Sequence, residues 1–120
     1  LGLMKLPTEA ERVRIYIGEN DKFEGRALYE VITEEARRMG LAGCTVIRGA
    51  LGFGAHSRIH TSKILRLSEH LPMIIEIVDK PERVAQFLPV LDSMIVEGLV
   101  TREIVNVMLY RHEKPKSELS

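Results

Sequence analysis

The residues best suited to chemistry lie in one segment, 43–63, which reads GCTVIRGALGFGAHSRIHTSK. Glycines let the backbone approach a ligand closely, so consecutive N–H groups around Gly52 and Gly54 could form a concavity that binds an anion. From Gly52 to Lys63, the side chains that add cationic or titratable groups are His56, Arg58, His60 and Lys63. No acidic residue balances them within the segment. Because guanidinium and imidazolium groups bind phosphates and carboxylates, this local excess of cations favours an anionic ligand.

Two other interpretations of the same residues stay open. The segment matches neither the Walker sequence nor GxGxxG, and its glycines could simply allow a β-bulge or a turn. His56 and His60 are four residues apart, with His70 further along, and on a helix the first two would share a face as metal ligands. No helix is indicated there, and no Cys or Asp joins them at metal-site spacing. From spacing alone, the turn is slightly favoured.

No set of catalytic side chains can be assembled from this sequence. It has no Ser-His-Asp order, no paired carboxylates and no Cys–His pair that could be chosen without arbitrary selection. Cys44 lies in an apolar run, where a buried thiol that packs as a small hydrophobic group is expected. The sequence therefore predicts a protein that is not an enzyme. Phosphate-ester or acyl chemistry at the basic segment is the weakest hypothesis, because no general base with a partner is identifiable.

Length and charge limit the class of protein. A chain of 120 residues, 45% of them hydrophobic, is long and apolar enough for one domain with one core. Seventeen Lys and Arg balance seventeen Asp and Glu, so no global field attracts nucleic acid or an anionic membrane surface. No apolar run approaches the roughly 18–20 residues that span a bilayer, and the start lacks a secretory h-region. We expect a soluble, cytoplasmic protein that is not integral to a membrane and does not bind nucleic acid.

Hydrophobic periodicity predicts the elements that must position these residues. Residues 12–18 alternate strictly and predict a half-buried strand, whereas 26–39 has helical spacing and is followed by Gly40 as a helix stop. The further predicted elements are a strand from Cys44 to about Leu51, a strand over 73–78, a helix that begins around Asp79–Glu82, contains Pro89 and ends at Glu97 before Gly98, and a strand over 103–110. A capping acid and a proline are expected in the first turn of the second helix.

The predicted order is β-α-β-β-α-β, which is the ferredoxin-like α+β arrangement. Right-handed crossovers place both helices on one face of a four-stranded antiparallel sheet. We predict a single domain over 1–120, with a core at about 12–110 and a polar tail at 111–120.

The second face of this sheet has a mixed composition. On the predicted strands it carries Arg14, Tyr16, Ile74, Glu76, Val78, Ile104, Asn106, Met108 and Tyr110. Such a surface is too apolar for free solvation and too polar for the core of a monomer. It predicts an oligomer that packs its sheets together with paired polar groups. A solvated face with scattered apolar residues is the alternative.

Two stretches resemble the nitrogen-regulatory PII signalling proteins. GCTVIRGALGFG is similar to the PII second strand, where Gly-x-Thr-Val leads into Gly-Phe-Gly at the base of a mobile loop, and HLPMIIEIVD resembles the segment that re-enters the sheet. The likeness covers about Arg12 to Tyr110. More closely, the chain resembles the small PII-like family of uncharacterised function in bacteria and archaea. This resemblance implies a homotrimer that binds an adenine nucleotide between subunits and reports it to an unknown regulated protein.

Carried over by position, the resemblance assigns ligand-binding roles to several residues. Thr45 matches the threonine near adenine, and Gly52 and Gly54 match the Gly-x-Gly whose backbone meets the phosphates. Arg102 lies near the lysine of an absent Gly-Asp-Gly-Lys turn, where this chain has GLVTRE. The residues that could partly substitute for missing cations are His56, Arg58 and His60.

The departures from the PII pattern affect the expected ligand. One more residue separates Thr45 from Gly54 than in PII, and Met73 replaces the lysine that follows Leu-Pro. AMP or ADP, or a similar small anion, is therefore expected over ATP, as a possible ligand and not a required cofactor. The alternative is a metal-responsive trimer that resembles the divalent-cation tolerance proteins, with ligands His56, His60 and His70.

Overall fold

The computed structural model describes residues 9–54 and 71–111. In chain order, its elements are β1 (Glu9–Gly18), β2 (Lys22–Phe23), β3 (Arg26–Ala27), α1 (Leu28–Arg38), β4 (Thr45–Arg48), β5 (Pro72–Asp79), α2 (Pro81–Met94) and β6 (Leu99–Asn106). Four strands form an antiparallel sheet in the order β4-β5-β1-β6, and β2 pairs only with β3. The predicted ferredoxin-like α+β fold is confirmed.

The core lies between this sheet and the two helices. Val13, Ile15 and Ile17 alternate along β1 and are buried, as the sequence pattern predicts. The other strand and helix residues of the core are Met73, Ile75, Ile77, Leu28, Ile32, Ala36, Val84, Phe87, Leu91 and Met94. Full burial of each large apolar side chain contributes roughly 1.5–3 kcal/mol to folding. This layer holds the two central strands, β1 and β5, in place.

A two-residue hairpin turn leads into α1. Glu24 and Gly25 have φ angles of 49° and 79° between β2 and β3, as in a type I′ turn. The sequence does not predict the two short strands, and the predicted helix over 26–39 begins two residues later, at Leu28, because Arg26 and Ala27 form β3. Gly40, with φ 73°, donates its N–H to the Arg37 carbonyl and ends α1 as predicted.

The boundaries of α2 differ from the prediction. The helix ends at Met94 and not at Glu97, and Pro89 lies inside it. Gly98 was predicted as a helix stop, but the structure gives it a different role. A Cβ at this position would lie 2.9 Å from the Tyr16 carbonyl oxygen of β1, so glycine allows close contact with that strand. Asp79 does not cap the first turn of α2, where Lys80 is the N-cap residue without a side-chain capping bond.

The last strand begins and ends four residues earlier than predicted. In the observed register, Glu103 pairs with Arg12 and Ile104 pairs with Glu11. Ile104 and Asn106 therefore share the face of β1 that packs on the helices, and their predicted place on the second face is wrong. Because side chains alternate along a strand, a shift of four residues in its bounds does not exchange the faces; the pairing of β6 with β1 decides which face each residue occupies. Likewise, β4 is shorter than the predicted strand from Cys44 to Leu51.

Candidate functional site

We call the face of the sheet that carries no helix the open face. One row of cross-strand neighbours on it runs through all four strands: Thr45, Glu76, Arg14 and Thr101. The next row is Ile47, Ile74, Tyr16 and Leu99. Polar and apolar rows therefore lie side by side, which agrees with the mixed composition that the sequence predicts for this face.

A cavity of about 280 Å³ lies on the open face beside the start of β4. Its lining residues are Ala42, Gly43, Cys44, Thr45, Glu76, Val78, Val107, Leu109 and Tyr110. The last three belong to the segment after β6, Val107–Tyr110, which we call the strap. The Tyr110 hydroxyl donates to the Ala42 carbonyl at 3.4 Å. The strap thus reaches from the edge strand β6 to the residues that precede β4.

A buried carboxylate fixes the cavity wall formed by residues 42–45. Asp79 is 1% exposed, and its Oδ2 accepts a hydrogen bond from the Ala42 N–H at 2.8 Å. Its Oδ1 accepts from the Lys80 N–H at 2.7 Å. The bond from Ala42 ties the segment before β4 to the end of β5, so the carboxylate positions the start of β4.

Cys44 behaves largely as the sequence predicts. Its side chain is half-buried and packs against the hydrophobic core. The thiol donates to Thr33 Oγ1 at 3.8 Å, and burial raises its pKa. A raised pKa keeps the thiol protonated near neutral pH, where it is a poor nucleophile.

Glu76 supplies a carboxylate to the cavity. Its Oε2 accepts a hydrogen bond from Arg14 Nε at 2.8 Å, and the side chain is 30% exposed. This bond raises the pKa of Arg14, whose Nη1 also lies 3.9 Å from Glu103. Among the described residues, the hydrogen bonds of Glu76 leave Oε1 as an available acceptor. The sequence did not single out Glu76 as a ligand residue, although an acid inside an apolar strand was a usable signal.

The glycines after β4 pack against Pro72. The Gly49 N–H donates to the Pro72 carbonyl at 2.7 Å, and a Cβ on Gly49 would lie 2.5 Å from Pro72 Cγ. A Cβ on Gly52 would lie 3.1 Å from the same atom, whereas one on Gly54 would meet nothing within 4 Å. Close approach to Pro72 therefore accounts for Gly49 and Gly52, whereas no such contact is found for a Cβ on Gly54 among the described residues.

Among the described residues, the candidate ligand residues Thr45, Gly52, Gly54 and Arg102 do not meet within one chain. Thr45 lines the cavity, whereas Gly52 and Gly54 follow the opposite end of β4, whose four residues span roughly 13 Å. Arg102 lies on β6 at the other edge of the sheet, on the opposite face from Thr45, and its Nε is 2.8 Å from Glu11. His56, Arg58 and His60 lie outside the described residues.

Metal-binding and membrane-spanning features are absent from the described part of the chain. Within 9–54 and 71–111, no group of three or more His, Cys, Asp and Glu could hold a metal ion. The three histidines of the metal hypothesis, His56, His60 and His70, lie outside those ranges. In the same ranges, no helix combines the length and apolar character needed to cross a membrane.

Comparison with known sequences identifies the family. A model of the DUF190 family (Uncharacterized ACR) matches residues 10–107. The chain belongs to the DUF190 family. A UPF0166 protein of Methanocaldococcus jannaschii is 40% identical over 106 residues, which cover 88% of this chain and 95% of that protein. A UPF0166 protein of Aquifex aeolicus is 35% identical over 96 residues, which cover 80% and 90%.

Solved structures similar to this DUF190 chain are PII-like proteins. CPII from Thiomonas intermedia K12, bound to ADP, AMP and bicarbonate, has a TM-score of 0.55 at 18% identity over 88% of this chain and 90% of its own. A putative PII-like signaling protein from Thermus thermophilus has a TM-score of 0.53 at 18% identity over 89% and 91%. These likenesses show the fold, and the PII-like resemblance expected from the sequence is confirmed.

Proposed function

We propose that this DUF190 protein is a non-enzymatic sensor that binds an adenine nucleotide between the subunits of a homotrimer and thereby regulates another protein. The observation that carries the proposal is the open-face cavity that contains Thr45, in a fold whose solved neighbour CPII was bound to ADP and AMP. Thr45 is also the residue that the PII resemblance assigns to the adenine ring.

The cavity suits the nucleoside part of such a ligand. Its volume of about 280 Å³ is close to the lower end of the range for small-molecule sites, roughly 300–1,000 Å³. Val78, Val107 and Leu109 give it apolar walls, and Glu76 and Thr45 bring a carboxylate and a hydroxyl to the same space. Apolar walls with a few polar groups are the usual composition of a site for a flat heterocycle.

The distribution of cations supports AMP or ADP over ATP. Four arginines of the sheet already have carboxylate partners: Arg12 with Glu103, Arg14 with Glu76, Arg48 with Glu19, and Arg102 with Glu11. A triphosphate would have to compete with these carboxylates for the same guanidinium groups. A ligand with fewer phosphates, or another small anion, requires fewer such exchanges.

The positions of Thr45 and Arg102 support a site between subunits. They lie at opposite edges of one sheet, about 14 Å apart across three strand intervals. A head-to-tail ring would bring the β6 edge of one copy beside the β4 edge of the next, which is how heterologous contacts close. Large apolar side chains are exposed at both edges: Ile47, Leu51 and Phe53 near β4, and Leu99, Val100 and Ile104 on β6.

Calorimetry with AMP, ADP and ATP tests the proposal, with Thr45→Val as the variant and Thr101→Val as its matched control. Both threonines are exposed and lie in the same cross-strand row, but only Thr45 lines the cavity. Loss of one ligand hydrogen bond costs about 0.5–1.5 kcal/mol, so we expect Thr45→Val to weaken ADP binding by up to about tenfold. Thr101→Val should bind like the unaltered protein. Absence of binding by all three nucleotides at millimolar concentration would refute the proposal.

A further inference from the structure

We propose that a cavity in the helix layer receives a basic side chain, lysine or arginine, from the surface of a partner protein. The cavity has a volume of about 270 Å³, and we call it the helix-side cavity. Its lining residues are Asp21, Lys22, Leu28, Met94, Val96 and Glu97. None of them lines the open-face cavity, so the inference goes beyond the proposed nucleotide binding and does not depend on it.

The helix-side cavity lies where α1 begins and α2 ends. Leu28 is the first residue of α1 and Met94 is the last residue of α2, and both belong to the core on the helix side of the sheet. The partial charges at the start and at the end of a helix have opposite signs, so together they select neither a cation nor an anion. The charged side chains of the cavity therefore decide which occupant it favours.

Two carboxylates and one ammonium group give the helix-side cavity a net negative charge. The carboxylates belong to Asp21 and Glu97, and the ammonium group belongs to Lys22. Within residues 9–54 and 71–111, none of these three side chains takes part in an ion pair. An entering cation thus meets carboxylates that no such pair neutralises, and Coulomb attraction favours it over an anion.

Asp21 is held in place by its own chain. Its Oδ2 accepts a hydrogen bond from the Gly18 N–H at 2.8 Å, and its backbone carbonyl accepts the Leu28 N–H at 2.8 Å. Oδ1 accepts no hydrogen bond from the described residues, so its lone pairs are available to an outside donor. A charged donor forms a stronger hydrogen bond than a neutral one, and a fixed acceptor loses less conformational entropy on binding.

The remaining walls of the helix-side cavity are apolar. Leu28 and Met94 are buried, whereas Val96 is 96% exposed, more than any other large hydrophobic side chain among the described residues. Lysine and arginine lay their methylene stems along apolar surface and keep the charged group at a polar site. A cavity slightly smaller than the roughly 300–1,000 Å³ of small-molecule sites suits one such side chain. Val96 adds apolar surface that a protein partner would cover and a free amine would not.

Titration of the full chain with a lysine peptide, followed through its amide signals in nuclear magnetic resonance, tests the proposal. The probe is acetyl-Leu-Lys-Leu-amide, and its neutral match carries norleucine in place of lysine. We expect the lysine peptide to shift the amide signals of Asp21, Lys22 and Glu97, and the norleucine peptide and n-butylamine to bind several-fold more weakly. The titration is done at low salt, because salt screens exposed charges.

Glu97→Gln is the variant that tests the carboxylate, because Glu97 is exposed and has no ion pair in the described chain on which folding would depend. Loss of one exposed ion pair should weaken the lysine peptide by up to about fivefold. Glu82→Gln is the matched control, since it removes the same charge at the start of α2 and Glu82 does not line the cavity. Lys22→Met should strengthen binding by a similar factor, because it removes the cation that repels the probe.

The proposal is overturned if the lysine peptide leaves those amide signals in place, or if the norleucine peptide binds equally well. Equal affinity of Glu97→Gln and Glu82→Gln would also reject it. Butylamine that binds as tightly as the peptide would assign the cavity to a free amine and not to a protein.

A last variant distinguishes a partner protein from a second copy of this chain. Val96→Glu places a charge beside the helix-side cavity, and we expect its mass in light scattering to equal that of the unaltered protein. Smaller species would show that another copy covers Val96, because a charge buried in that contact would be costly, and they would overturn the proposal.

Discussion

At the scale of single residues, Asp79 illustrates how a side chain outside the binding surface can shape it. Its carboxylate is almost fully buried and accepts backbone N–H groups from both Ala42 and Lys80. A buried acceptor is favourable only while its partners are in place. The sequence indicates an acid at this strand end and suggests a helix cap, but its true partner, Ala42, is 37 residues away.

Replacement of this carboxylate should be costly. Asp79→Asn leaves one carbonyl oxygen for two N–H donors and buries an amide donor beside them, so we expect a loss of about 1–3 kcal/mol in the free energy of unfolding. Urea denaturation measures the change. Asp92→Asn on the exposed surface of α2 is the control and should change stability little. Equal stability of the two variants would contradict the role given to Asp79.

At the scale of elements, the start of β6 decides which residues reach which face. Gly98 precedes the strand and lies against the Tyr16 carbonyl of β1. The two backbones therefore approach each other more closely there than a side chain at position 98 would allow. The sequence pattern alone placed Gly98 at a helix stop and moved the strand four residues along. A glycine suits both roles, and only the neighbouring strand distinguishes them.

An added methyl group at this contact should destabilise the sheet. In Gly98→Ala the new Cβ would lie 2.9 Å from a backbone oxygen and 3.0 Å from Ile17 Cγ2. Overpacking of this kind costs about 1–3 kcal/mol, which thermal and urea unfolding would detect. Gly43→Ala serves as the control for stability, because its Cβ would meet nothing within 4 Å. A Gly98→Ala protein as stable as this control would argue against the close approach.

At the scale of the whole molecule, the sheet leaves both of its edges and one face uncovered among the described residues. Apolar side chains are exposed on β4 and β6, and Arg12 pairs with Glu103 on the open face. Exposed edge strands with apolar side chains are templates for association. Ion pairs on such a face contribute little energy in water but fix the orientation of partners that approach it.

Assembly is expected to depend on the β6 edge. Light scattering should give a mass three times the 13.6 kDa of one chain. Leu99→Glu introduces a charge on the open face at this edge and should convert the trimer to smaller species, because a buried unpaired charge is costly. Ala85→Glu, on the exposed side of α2, is the control and should remain trimeric. A monomeric unaltered protein would exclude the trimer.

The sequence by itself determined the order of the main elements, the buried face of β1, the Gly40 stop and the PII-like family. Each of these depends on local periodicity, on a backbone preference or on a recognisable motif. Only the tertiary structure decided the face of β6, the role of Asp79, and the cavity that Glu76 shares with Tyr110. These depend on contacts between residues distant in sequence, and strand register reverses faces with a shift of one residue. A local motif was enough to select Thr45 from the sequence. The contact of the strap with the residues before β4 could not be predicted, because it joins residues 68 positions apart.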